Sequence, residues 1–358
     1  MNPRGRSGMK IFIAFVTMLA VAAALAAQDM RPAHDDVGYC WNPAAMQKLV
    51  EVLESQERES FGRNGLVAGI SPHDDYLYAA RVYYPLFRAL RTKEVVIFGV
   101  THSTVRKEIS GLDGIIIFDD FKSWRGLNKP VPASGLREYL KARLDKGLYI
   151  TNDKAQMIEH SIEAVVPFLQ YFNPDVKITP IMVAPMPFGR MEEISARLAA
   201  GIADYMSVQH LAAGKDIFFL ISADDNHYGQ DFDNTKFGEG EQAWDAAREF
   251  DQRLIRTYLT GELTSAKVEG LTCELWGKTY LDFQKTLWCG KFSIPFGLLA
   301  VEKVISRVSG KRLDGQLFRY SDTYSEGVLP LRKKGLGTTA PFSLRHWVSF
   351  SSIGYYAD

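Results

Sequence analysis

The sequence predicts an α/β fold: one domain with a central, mostly parallel or mixed sheet flanked by helices. Three observations lead there. Short apolar runs with the look of buried strands recur along the chain, helical patterns lie between them, and no Pro/Gly/Ser linker, repeat or low-complexity stretch divides them. Composition is compatible: of 358 residues, 46% are hydrophobic, 23% charged and 12% aromatic, which excludes wholesale disorder, collagen-like repeats and coiled coil. Lys plus Arg equals Asp plus Glu at 42 each, so no basic excess marks a nucleic-acid or anionic-membrane surface.

Taken in order, the first element is an export signal. Arg4, Arg6 and Lys10 precede an apolar run at 11–27, in which Thr17 is the polar exception. The run ends in small residues with an A-x-A pattern, Ala24-Leu25-Ala26, before Gln28-Asp29. Basic head, apolar middle and small-residue end predict a signal peptide over 1–27. The rival is a membrane anchor, but the run falls slightly short of the roughly 20 residues a span needs and lacks flanking aromatics. Cleavage near Ala27 or Gln28 would leave an exported domain, 28–358, periplasmic or extracellular and without membrane attachment. No cysteine sits at the cleavage point, so lipid attachment is not expected.

A helix is predicted over 43–57, begun by Asn42 and Pro43, with Met46, Leu49, Val50 and Leu53 at helical spacing. Strands are predicted at 66–70, 95–99, 114–118, 176–183 and 216–221. Helices are predicted at 83–90, 134–144, 162–172, 191–206, 245–260 and 294–308. Near the C-terminus, 315–323 and 347–356 read as strands adding to the same sheet.

Ligands in open α/β sheets gather at the carboxyl ends of strands. Three predicted strands end alike: Ile70 leads into Ser71-Pro72-His73-Asp74-Asp75-Tyr76, Val100 into Thr101-His102-Ser103, and Ile221 into Ser222-Ala223-Asp224-Asp225-Asn226-His227. Singly, each histidine reads as a loop residue bonded to backbone. Three of the seven histidines at one relative position, two with acidic neighbours, point instead to a metal or catalytic site. His160 opens a helix in Glu159-His160-Ser161-Ile162-Glu163, where Glu159 and Ser161 serve as ordinary caps. His34, His210 and His346 carry no signal.

Three cysteines are too few for a disulfide scaffold. Cys289 lies just ahead of a predicted helix, a position that favours the thiolate, the form that binds soft or borderline metals. The competing reading is a buried, inert thiol. In an oxidising compartment Cys40 and Cys273 are the pair available to join, leaving Cys289 unpaired, and the sequence leaves that connectivity open.

The chain resembles the Memo family, whose bacterial and archaeal members are called AmmeMemoRadiSam system protein B. The resemblance runs through nearly all of the mature chain: Gly38-Tyr39-Cys40-Trp41-Asn42-Pro43, Pro72-His73-Asp74-Asp75-Tyr76, Val96-Ile97-Phe98-Gly99-Val100-Thr101-His102, Pro180-Ile181-Met182-Val183, Ile221-Ser222-Ala223-Asp224-Asp225-Asn226-His227, Trp288-Cys289-Gly290 and the closing strand around Val348-Ser349-Phe350. The most specific match is Glu159-His160-Ser161-Ile162-Glu163-Ala164-Val165-Val166-Pro167-Phe168-Leu169.

The resemblance implies a fold like that of class III extradiol ring-cleaving dioxygenases, which hold non-haem Fe(II). It implies a metal site of His73, His102 and Cys289, with His227 and Asp224 as acid–base residues. Family members are linked to iron or copper binding, a redox role and phosphotyrosine-peptide recognition. The chain departs from the family pattern where P-H-A-G-Y has become Pro72-His73-Asp74-Asp75-Tyr76, S-S-D has become Ser222-Ala223-Asp224, and W-Y-P has become Trp41-Asn42-Pro43. Together with the export signal, these changes weaken transfer of any cytosolic role.

Two imidazoles and an anionic third ligand suit a divalent iron with open positions, and a sulfur ligand admits copper or zinc as well. Asp74 or Asp75 is expected to bind the metal or to fix the His73 tautomer. The expected function is metal-dependent redox or dioxygenase-like chemistry on an unknown small-molecule or peptide ligand. The alternatives are an exported metal-handling protein and a peptide-recognition module, both without turnover.

Overall fold

Four strands of near-continuous Val, Ile, Leu and Phe make the centre of the molecule. In the computed structural model, which describes residues 29–56, 64–282, 288–331 and 336–358, the main sheet has ten strands. They are β1 (Leu66–Ser71), β2 (Glu94–Val100), β3 (Ile116–Phe118), β4 (Tyr149–Thr151), β5 (Lys177–Val183), β6 (Ile217–Ser222), β7 (His227–Tyr228), β8 (Gly261–Glu262), β9 (Leu313–Asp322) and β10 (Trp347–Ala357). Their spatial order is β8-β9-β10-β1-β6-β2-β5-β3-β4, with β7 paired to β10. The central β1, β6, β2 and β5 are mutually parallel. β10 and β9 extend one side antiparallel, and β3 joins β5 antiparallel on the other. The sheet is therefore mixed, with a parallel heart.

The apolar runs are continuous because both faces of the heart are covered. Alternation along each strand sorts its residues. Val95 and Ile97 of β2 enter one apolar cluster with Phe218 and Leu220 of β6. Val96 and Phe98 enter the other with Phe219 and Ile221. The first face is covered by α1 (Pro43–Gln56), α2 (Tyr76–Ala89) and α3 (Val166–Phe172). The second is covered by α4 (Phe188–Val208), α6 (Ser265–Leu275) and α7 (Ser293–Ser309), while α5 (Glu241–Leu254) packs beside them. Each fully buried Leu, Ile or Phe contributes roughly 1.5–3 kcal/mol, so this double burial is what holds the layers together.

The differences from the sequence reading have local causes. Helix α2 starts at Tyr76, ahead of the predicted 83, because Tyr76, Leu77, Tyr78, Ala79 and Ala80 are all buried and show no amphipathic stripe. The predicted helix at 245–260 is α5 followed by one π-helical turn, Ile255–Leu259. The predicted helix at 162–172 begins as a 3-10 turn, Glu163–Val165. β4 and α6 had no sequence signal. The predicted signal segment lies outside the described residues. Among the described residues no helix is long and apolar enough to cross a membrane. No disulfide joins Cys40, which is buried, to Cys273, which is exposed: the pairing open to the two in the sequence is not made.

Candidate metal centre

Strand order brings the site together. β1, β6 and β2 are parallel neighbours, with Ser71 of β1 in register with Ser222 of β6. Each continues past its end by two residues to a polar group: His73, Asp224 and His102. Cys289 arrives from the other direction, in the 3-10 turn Cys289–Lys291 that leads into α7. Gly290 permits this approach, because a Cβ there would lie 2.5 Å from the Ala223 Cβ. Gly99 does the same for the 159–163 segment, since its Cβ would meet the Ile162 Cγ1 at 2.4 Å.

One ligand atom each of His73, His102 and Cys289 lies within 4.8 Å of the others. Cys289 Sγ is 3.4 Å from His73 Nε2. Ligands at ordinary metal–nitrogen and metal–sulfur lengths stand roughly 3.5 Å apart across a tetrahedral ion, so the set is sized for one. Both imidazoles are held from behind. His73 Nδ1 is 3.2 Å from Ser222 Oγ, which donates to the Ser161 carbonyl at 2.6 Å. His102 Nδ1 is 2.8 Å from Glu159 Oε1, leaving Nε2 as the nitrogen not engaged by the carboxylate. This backing is typical of metal-binding histidines.

Glu159 does more than the capping read from the sequence: it ends the helix Asp153–Ile158 as its C-cap and also backs His102. Its carboxylate accepts from the backbone N–H groups of His102, His160 and Ser161 at 2.9 Å each as well as from the His102 ring. Burial would push this carboxyl up. The facing His102, its hydrogen bonds and His160 outweigh that and hold it well below the usual range. His102 in turn is raised: burial works against its charge, but Glu159 beside it prevails. His160, likewise read as part of a helix start, stacks on His102 with ring centroids 4.5 Å apart. The available signal was the E-H-S-I-E string, but that its glutamate holds the His102 ring depends on which strand end it meets.

Asp224 bridges the halves. Its Oδ1 accepts the His73 N–H at 2.9 Å, and Oδ2 stands 3.4 Å from His73 Nε2. Burial raises Asp224 to about 7. His227 joins Asp224 and Cys289 in a second group with ligand atoms within 4.8 Å. Its Nδ1 is buried with no hydrogen-bond partner among the described residues, and burial followed by the charge of His102 lowers its pKa to about 3.

Two expectations are corrected. The helix beyond Cys289 does not favour the thiolate in the protein alone, because burial and then Asp224 push the thiol well above its ordinary value. Neither Asp74 nor Asp75 fixes the His73 tautomer, a place taken by Ser222. Asp75 accepts the Thr339 N–H at 2.6 Å and its hydroxyl at 3.0 Å, and Asp74 accepts the Asp75 N–H at 2.6 Å.

A cavity of about 490 Å³ opens onto the cluster, lined among others by His73, Asp74, His160, Asp224 and His227. His34 and Asp35, which had no sequence signal, form part of its wall. They are placed by Glu163, whose carboxylate accepts their backbone N–H groups and pairs with buried Arg31. A side pocket of about 180 Å³ shares His227 and Asp74 and is bounded by Phe232, Phe342 and His346.

Fold and site together define an α/β protein with a candidate His/His/Cys metal cluster at the carboxyl rim of its parallel strands. Residues 31–323 match the family described as Memo-like protein. The chain belongs to the Memo family, whose fold is of the extradiol dioxygenase type. A MEMO1 family protein of Pyrococcus furiosus is 27% identical over 291 residues, spanning 77% of this chain and 88% of that protein. One from Pyrococcus horikoshii is 29% identical over 298 residues, spanning 79% and 90%. One from Sulfurisphaera tokodaii is 32% identical over 166 residues, spanning 44% and 52%.

Proposed function

We propose that this Memo family member holds one divalent metal ion on His73, His102 and Cys289, with Fe(II) the first choice and copper or zinc the alternatives, and uses it in redox or dioxygenase-like chemistry. The observation that carries the reading is the donor set: two backed imidazoles and a half-buried sulfur at metal-ligand separation, with His73 on the wall of a cavity. Such an ion supplies Lewis acidity or oxygen activation at its open positions.

The chain's own residues would do the rest. Glu159 fixes the His102 ring, and Ser222 faces the His73 ring. His227 lines the cavity with its Nδ1 unengaged, which places it to exchange a proton with a small-molecule or peptide ligand there. Asp224 is poised to hold a proton beside it. We further propose export of the domain after cleavage of 1–27, which N-terminal sequencing of the mature protein would test.

The test of function is elemental analysis of protein purified without chelator, then oxygen uptake with catechols and with thiols. Near-stoichiometric metal is expected, lost in His73→Ala and Cys289→Ser while both variants still fold. Full metal retained in both variants would overturn the assignment. A second reading, metal handling without turnover, is favoured by one observation. The ligand groups overlap, sharing His102 between two of them and Cys289 between two, which suits passing an ion along. Bound metal with no oxygen uptake would select it.

A further inference from the structure

We infer that Asp251, a buried carboxylate outside the ligand cluster, is a positioning residue that sets how far the Cys289 sulfur reaches toward His73. The inference rests on the metal reading above. Asp251 lies on α5, one helical turn before the π-helical residues, and is 0% exposed. π-turns inside helices often mark functional sites.

Cys289 is weakly held by its own backbone. Its N–H reaches the Asp225 carbonyl at 3.3 Å, and the Gly290 N–H reaches the Asp224 carbonyl at 3.3 Å. Both lie beyond the usual hydrogen-bond range and tolerate displacement. The firm hold is one residue back. The Trp288 indole, 0% exposed, donates Nε1–H to Asp251 Oδ1 at 2.8 Å. Asp251 Oδ2 accepts from Ser349 Oγ at 2.7 Å and from the Tyr320 hydroxyl at 3.2 Å.

Ser349 carries the hold to the opposite side of the sulfur. Its Oγ accepts the Asn226 N–H at 3.0 Å, its N–H donates to the Asn226 carbonyl at 2.9 Å, and its carbonyl accepts the Asp225 N–H at 2.9 Å. The 224–226 loop is the surface on which Cys289 rests, since Asp224 N–H points to Sγ at 3.1 Å. One carboxylate thus references both the segment that bears the sulfur and the loop that receives it. Supporting groups one step behind a metal ligand commonly matter about 10–100-fold in metal affinity.

The test is a Co(II) titration of the full metal-free chain, reading affinity and the near-ultraviolet sulfur-to-cobalt charge-transfer band, with Cys289→Ser as the reference for its absence. Asp251→Ala is expected to bind about 10–100-fold more weakly with a reduced band. Trp288→Phe, which keeps the ring but removes the N–H, should move the same way by less. Asp251→Asn, which keeps an oxygen for the indole, should restore most of the band. Leu198→Ala, an apolar core change on α4, should lower stability and leave the band intact. If Asp251→Ala does not fold, Trp288→Phe decides. Wild-type affinity and a full band in the folded Asp251 and Trp288 variants overturn the positioning role and leave the metal reading standing. A wild-type protein with no band that Cys289→Ser removes overturns both.

Discussion

The histidine side and the cysteine side of the cleft meet the same difficulty, buried polar groups, in opposite ways. On the histidine side Glu159 takes four donors, two imidazoles flank it, and Arg31 lies behind, donating to the Glu159 carbonyl at 2.5 Å and pairing with Glu163. Charge there is matched within the chain. On the cysteine side Asp251 accepts from an indole and two hydroxyls, Asp225 accepts from Ser351, and Asp225 Oδ2 has no partner among the described residues. Those carboxyls are pushed up, Asp251 to about 7 by burial and Asp225 well above its ordinary value by burial and then Asp251. Lys291, facing Cys289, is lowered to about 8 by burial and then Arg106. The difference teaches that the carboxylates of the histidine side are paired with cationic groups of the chain, whereas Asp251 and Asp225 accept from neutral donors, so a bound cation would alter the second side more.

The largest effect should come from breaking the matched charge. Glu163→Ala strands the Arg31 guanidinium, which is 1% exposed, and also frees the His34 and Asp35 N–H groups that wall the cavity. A loss of about 3–5 kcal/mol in urea unfolding is expected, and a loss below about 1 kcal/mol would show that this side is not held by charge.

Next, Glu159→Gln removes the charge behind His102 and keeps the shape. Metal affinity should fall about 10–100-fold by equilibrium dialysis, with the fold retained. Unchanged affinity would mean that His102 needs no ionised partner.

The third test concerns pH. The folded pKa of Asp251, about 7, lies above the ordinary value near 3.9, so its neutral form is the one the fold prefers. Its contribution is full below about pH 4 and is lost as pH rises through about 7. Metal-free protein should therefore lose stability across that window, by an amount on the order of a few kcal/mol, and Asp251→Asn should flatten the slope. Equal slopes in the two proteins would remove Asp251 from the account.

The smallest effect is expected for Ser222→Ala, which takes away the hydroxyl that faces His73. A stability change of about 1 kcal/mol is expected, together with a measurable rise in metal off-rate.

Much of the central sheet was legible because β1, β2, β5 and β6 are buried on both faces and so read as unbroken apolar runs. The short edge strand β4, only Tyr149–Thr151, offers too few residues for any period to emerge. The start of α2 was hidden for the opposite reason, burial all round. In the site, His73, His102 and Asp224 were legible because each follows a strand end directly. Glu159, His160 and His34 were not, because a glutamate before a turn reads equally as a cap and a lone histidine near a chain start reads as nothing.

By itself, the sequence determined the alternation of strands and helices, the polar segments at three strand ends and the family, since these depend on local pattern and on order along the chain. Only the tertiary structure decided that β6 lies between β1 and β2 and that Ser222 and Glu159, rather than the aspartates beside His73, back the two imidazoles; the meeting of Cys289 with His73 across 216 positions was implied by the resemblance and by no local pattern. Those outcomes rest on which surfaces pack together. Packing is settled by shape and desolvation across distant segments, and no spacing within one segment records it.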